Sequence, residues 1–124
     1  MKSLSDRLII EEHNGVKIIS LTFTGLREGE IIELIQRHME LSLQTRLPFL
    51  IDLKGSFLTP NVMVHGKKFA ELTRHIVDRG ALIGVDRVKS LTLKGVVFLY
   101  GVNYKAFETR EQAIEFLTSI PENT

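Results

Sequence analysis

The sequence predicts an α/β domain: a four- or five-stranded mixed sheet, opened by a β-hairpin and flanked by about four helices. Three observations carry that prediction. Two β-branched runs flank Asn14-Gly15, a dipeptide suited to the positive-φ conformations of a tight hairpin turn. The last third alternates strand-like and helix-like segments joined by short connections, the rhythm of a sheet covered by crossover helices. Helix-start chemistry appears at Thr59-Pro60 and at Thr109 with Gln112 three residues on.

Taken in order, Arg7 to His13 and Val16 to Thr24 form the hairpin. Ile19, Leu21 and Phe23 alternate with Ser20, Thr22 and Thr24, which predicts one buried face and one partly polar face. From Arg27 to Thr45, residues Ile31, Leu34, Ile35, His38, Met39 and Leu41 follow the i, i+3, i+4 spacing of an amphipathic helix, with His38 at the edge of the stripe. Glu28 and Glu30 sit in its first turn, where carboxylates complement the helix dipole. Pro48 to Leu53 is a short apolar strand with Asp52 near its C-terminal end, suited to a central position.

Thr59 reads as the N-cap and Pro60 as the first residue of a second helix. Its stripe is Val62, Phe69, Leu72 and Ile76, Gly66 weakens its middle, and Arg79-Gly80 supplies a basic last turn and a C′ glycine. Ala81 to Val85 is the next strand. Val88, Leu91, Val96 and Leu99 carry a third helical stripe, expected to pack into the core; Val96 to Tyr100 alone is equally compatible with a strand, and the βαβ rhythm decides for helix. Tyr104 to Phe107 is the last strand. The final helix is anchored by Ile114, Phe116 and Leu117 and ends at Pro121.

Composition bounds the function. The 124 residues suit one domain spanning 1–124, and 44% hydrophobic with 25% charged residues is ordinary for a soluble globular protein. Cysteine is absent, so disulfides, thiolate zinc sites and cysteine nucleophiles are excluded. No apolar run is long enough to span a bilayer and the N-terminus has no secretory h-region, so the expectation is a cytoplasmic protein that is not a membrane protein. Between Leu53 and Lys105, nine basic residues stand against three acidic ones, a cationic centre beside an acidic remainder. That asymmetry could attract an anionic partner or align copies in a homodimer, although solvated charge is what folded domains ordinarily carry.

Chemistry is thinly marked. His65 and His75, ten residues apart on one predicted helix, differ by about 80° in azimuth and roughly 15 Å along the axis, so they cannot share an ion. No metal or cofactor is expected. The glycines at 80, 84 and 95 match no phosphate-cradling motif, and the basic excess lacks the aromatic interleaving of a nucleic-acid surface. In open α/β sheets ligands gather beyond the carboxyl ends of strands. That rule selects Asp52, Lys54, Ser56, Thr59 and Asn61 in the loop before the second helix, facing Arg87, Lys89 and Lys94, as a partner- or anion-binding surface. A hydroxyl at a helix N-terminus is also well placed to carry a phosphate. The competing structural roles are a self-bonded loop for Asp52 and a helix cap for Thr59.

The order of elements, the segment Phe49-Leu50-Ile51-Asp52-Leu53-Lys54-Gly55 and the tail pattern Phe107-x-Thr109-x-x-x-Ala113-x-x-x-Leu117 resemble the STAS-like domains, most closely the small stand-alone branch related to the anti-sigma-factor antagonists. The resemblance implies a non-enzymatic domain with a binding or regulatory role exercised through a protein partner. In the antagonists a phosphorylatable serine starts the helix after the Asp-bearing strand. Here Leu58-Thr59-Pro60-Asn61-Val62 lacks the Asp-Ser motif, and Thr59, or else Ser56, is the candidate phosphoacceptor. Relatives of this fold are similar to CRAL-TRIO lipid-transfer domains, which implies an alternative: a carrier holding a lipid or other apolar small molecule in a pocket between helices. An enzyme using Asp52 with a histidine as acid and base is the third reading.

Overall fold

Asn14 and Gly15 take φ of 53° and 80° and close the hairpin between β1 (Leu8–His13) and β2 (Val16–Thr22), which pair antiparallel with Ile10 opposite Ile19. The computed structural model describes residues 4–119 and begins with a single 3-10 turn at Leu4–Arg7. Each later strand adds in parallel to its predecessor: β3 (Phe49–Asp52), β4 (Gly80–Ile83) and β5 (Tyr104–Phe107) extend the sheet in the order β1-β2-β3-β4-β5. The helices are α1 (Glu28–Thr45), α2 (Pro60–Thr73), α3 (Arg87–Tyr100) and α4 (Arg110–Thr118). The mixed five-stranded sheet opened by a hairpin is the predicted class.

Side-chain alternation divides the core in two. Ile19, Leu21, Phe49 and Leu82 point to the face covered by α1 and α2, where Ile31, Leu34, Val62 and Phe69 meet them. On this same side Val96 of α3 packs with Ala70 and Val102. Ile18, Leu50 and Ala81 point the other way, onto Ala113 and Leu117 of α4. The Thr109–Gln112 capping box starts α4 as predicted: Gln112 N donates to Thr109 Oγ1 at 3.2 Å, and Thr109 N donates back to Gln112 Oε1 at 3.3 Å. Pro121 lies outside the described residues.

Four expectations are corrected. First, α2 ends at Thr73, six residues before the predicted stop. Gly80 is the first residue of β4, not a C′ glycine, and its missing side chain makes room for Phe49, whose Cζ would lie 2.3 Å from a Cβ there. Arg79 is buried, and its Nη1 donates to the Phe116 carbonyl at 2.6 Å and the Ser119 carbonyl at 3.0 Å. The cation thus satisfies carbonyls at the end of α4, across the fold from α2. Second, α2 buries Val62, Phe69, Ala70 and Thr73, while Leu72 is half-exposed and Ile76 lies beyond the helix. Third, His38 sits at the centre of the packing, stacked on Phe69 at 4.3 Å and edge-on to Phe49 at 4.9 Å. Fourth, α3 is a helix, but of its predicted stripe only Val96 is buried; Val88, Leu91 and Leu99 face solvent.

Candidate functional site

The loops that follow β3 and β4 leave the sheet side by side at its C-terminal edge, since these strands are neighbours in register from Phe49–Gly80 to Asp52–Ile83. They are in close contact. Gly84 has φ +74°, and a Cβ there would lie 2.4 Å from the Lys54 backbone nitrogen, so only glycine permits this approach. Leu53 N donates to the Ile83 carbonyl at 2.9 Å, extending the ladder by one bond beyond β3.

The Leu53 carbonyl gathers three donors: Ser56 N at 3.1 Å, Ser56 Oγ at 2.6 Å and Lys89 Nζ at 2.9 Å. Lys89 reaches it from the first turn of α3 with its side chain mostly withdrawn from solvent, and Asp86 lies 3.9 Å from the same ammonium. Asp86 also caps α3, its Oδ1 accepting from Lys89 N at 2.8 Å. Asp52 Oδ1 accepts from Lys54 N at 2.9 Å, closing its own turn. Thr59 caps α2 by accepting from Val62 N at 3.2 Å, a contact worth about 1 kcal/mol. Its hydroxyl also donates to the Glu28 carboxylate, tying the start of α2 to the start of α1.

The sequence-selected residues therefore fall into two groups. Ser56 is buried and Lys89 is turned inward, so both hold the loop together, while Asp52 and Thr59 are half-buried and internally bonded. Lys54, Asn61, Arg87 and Lys94 are exposed. Sequence reasoning missed Phe57, which is 81% exposed at the tip of this same loop. The signal was a lone aromatic between a self-bonding serine and a helix cap.

No histidine lines the shallow depression beside Asp52, which is formed by Asp6, Arg7, Ile9, Ser20, Leu21, Thr22 and Arg110. His75 lies beyond α2 rather than on it, and among the described residues no group of three or more His, Asp or Glu side chains is placed to hold a metal ion. His38, 2% exposed, is held neutral: burial pushes its imidazole down to about 3. Burial likewise pushes the Tyr104 phenol up to about 12, with the Thr73 side chain acting weakly against it.

A second feature lies between the helices. A half-open apolar cavity of about 110 Å³ lies between the sheet, α2 and α3, with Phe49, Met63, Gly66, Leu93, Val96 and Tyr104 in its wall. Gly66, which weakens the middle of α2, lets that helix border the space without filling it.

By sequence the chain matches no family model and no curated protein. By structure it is similar to an uncharacterised protein with a SpoIIAA-like fold from Shewanella loihica, with a TM-score of 0.64 and 17% identity over 89% of this chain and 91% of that one. It is also similar to an anti-sigma-factor antagonist (STAS) domain protein from Planctomyces limnophilus, with a TM-score of 0.56 and 22% identity over 90% of this chain and 98% of that one. The sheet order, the opening hairpin and the four helices thus place this chain in the SpoIIAA-like α/β fold, the fold of STAS domains.

Proposed function

We propose that this chain is a single, non-enzymatic binding or regulatory domain, acting in the cytoplasm through protein–protein contacts at the loop before α2. The observation that carries the reading is Phe57, held almost fully in solvent by a loop whose own polar groups are already satisfied. A rigid loop presenting an aromatic anchor loses little entropy on binding, and aromatics with nearby arginines dominate interface energetics. Lys54, Asn61, Arg87 and Lys94 form the polar surround. Thr59 is the regulatory hydroxyl: a phosphate there would sit at the positive end of the α2 dipole and repel Glu28, releasing the tie between α1 and α2. The similarity to the Planctomyces anti-sigma-factor antagonist (STAS) domain protein supports such a role. Replacing Phe57 with a photoreactive phenylalanine analogue in cells should yield one discrete adduct that is weakened by Lys54→Ala, and a probe at exposed Gln44 should not. Equal labelling from both positions would remove the loop from the interface.

The cavity supports a second reading, a carrier for a small apolar ligand. Its volume suits a benzene-sized group, below the roughly 300 Å³ of ordinary ligand pockets, so a longer molecule would have to part α2 from α3. Native mass spectrometry followed by denaturation of the same sample distinguishes the readings. A retained apolar species supports the carrier, and a ligand-free mass leaves the protein-binding module.

A further inference from the structure

The second apolar face of α3 has no counterpart in the fold. At about 100° per residue, Lys89, Leu93, Val96 and Tyr100 lie together and turn inward, whereas Val88, Leu91, Phe98 and Leu99 form a separate stripe roughly 100° wide on the opposite side. These four are exposed, Phe98 at 87% and Val88 at 74%. Val64 of the neighbouring α2 is exposed as well, on the side away from the sheet. Ordinary surface helices keep such positions polar.

Charge identifies what would cover this face. Across α2 and α3 the basic residues are Lys67, Lys68, Arg87, Lys89 and Lys94, and the single carboxylate is Glu71. Lys67, Lys68, Arg87 and Lys94 are all exposed. A second copy of the same face would set cation against cation, which argues against self-association here. An anionic surface would be attracted. An apolar stripe flanked by lysine and arginine suits an anionic bilayer surface, into which apolar side chains insert while lysine and arginine stems carry their charges outward. No helix among the described residues is long and apolar enough to cross a membrane, so contact would be at the surface.

We propose that the outer face of α2 and α3 docks this protein onto an anionic lipid bilayer, with Val88, Leu91, Phe98 and Leu99 in the acyl boundary and Lys67, Lys68, Arg87 and Lys94 among the phosphates. This goes beyond the loop-centred reading: it shares Arg87 and Lys94 with that surface but rests on the apolar stripe of α3, away from Phe57. It also places the cavity between α2 and α3 behind the docked helices.

The test is flotation of the full chain with phosphatidylcholine vesicles, with and without about a third phosphatidylglycerol. The expected result is binding to the anionic vesicles, weak binding to the neutral ones, and weakening by salt. Lys94→Ala should lower the affinity about fivefold, the share of one near-surface cation, and Phe98→Glu at least about tenfold. Phe98 is so exposed that its substitution should leave the melting temperature unchanged. Failure of the wild-type chain to float with anionic vesicles overturns the proposal, and so does undiminished flotation of Phe98→Glu, which would mark a purely ionic contact. Light scattering on the same samples detects the alternative occupant. A dimer abolished by Phe98→Glu in a protein that ignores vesicles would assign the face to a second copy. Crosslinking through position 57 is unaffected by any of these outcomes, so the two proposals fail separately.

Discussion

Phe49→Ala is expected to lower the unfolding free energy by about 3–5 kcal/mol, the range for deleting a buried phenylalanine. The ring is 1% exposed and meets three others nearly edge-on: His38 at 4.9 Å, Phe69 at 5.5 Å and Tyr104 at 5.0 Å. Such edge contacts add about 0.5–1.5 kcal/mol each beyond burial. Phe49 also borders the existing apolar cavity, so truncation would enlarge a void instead of opening a small one that neighbours could close. Because a domain of this size has only about 5–15 kcal/mol in hand, the variant should be near its stability limit. Urea unfolding is the measurement, with the midpoint lowered and the slope retained. A loss below about 1.5 kcal/mol would mean that α3 can collapse onto the sheet, and the cavity would then not be a rigid feature of the fold.

Stability should also fall as the solution is acidified, through His38. Its folded pKa, about 3, lies below the unfolded value of 6.5, so the unfolded chain binds the proton more readily. The stabilisation is therefore present above 6.5 and is lost progressively as pH falls from 6.5 towards 3. The slope within that window is about 1.4 kcal/mol per pH unit, which amounts to about 2 kcal/mol between pH 8 and pH 5. Burial alone causes the shift: the ring lies against Phe49 and Phe69, and its Nε2 has no hydrogen-bond partner. His38→Leu removes both the titration and the unpaired nitrogen. Melting temperatures measured against pH should run parallel above pH 6.5 and separate as pH falls below it, with the wild type losing stability and the variant the flatter. Curves parallel throughout would show that another group dominates acid sensitivity.

Local chemistry was the part of this fold most open to reading from the sequence. Asn14-Gly15, Thr59-Pro60 and the Thr109–Gln112 pair each specify a backbone geometry within four residues, and each appears where predicted. Gly80 shows the limit. Beside Arg79 it looks like a helix stop, but its reason is the ring of Phe49, 31 positions away and adjacent only once β3 and β4 pair. Helical spacing in α3 was equally readable, but a helix with two apolar faces does not say which one meets the sheet. The loop after β3 illustrates a third case. A serine and a lysine look like ligands in a sequence, and Ser56 and Lys89 are instead both spent on the carbonyl of Leu53.

Strand order that repeats chain order has a consequence for synthesis on the ribosome. Each new strand can join the one before it as it emerges, so the α1–α2–α3 side is completed progressively from the N-terminus. The opposite side is not. Ile18, Leu50 and Ala81 wait for Ala113 and Leu117, the last core residues to be translated among those described. At about 5–20 residues per second, the interval from Ala81 to Leu117 is roughly 2 to 7 seconds. For that time, while α3 and β5 are still being added, Ile18, Leu50 and Ala81 have no helix over them, and this bare face is the surface a holdase would find.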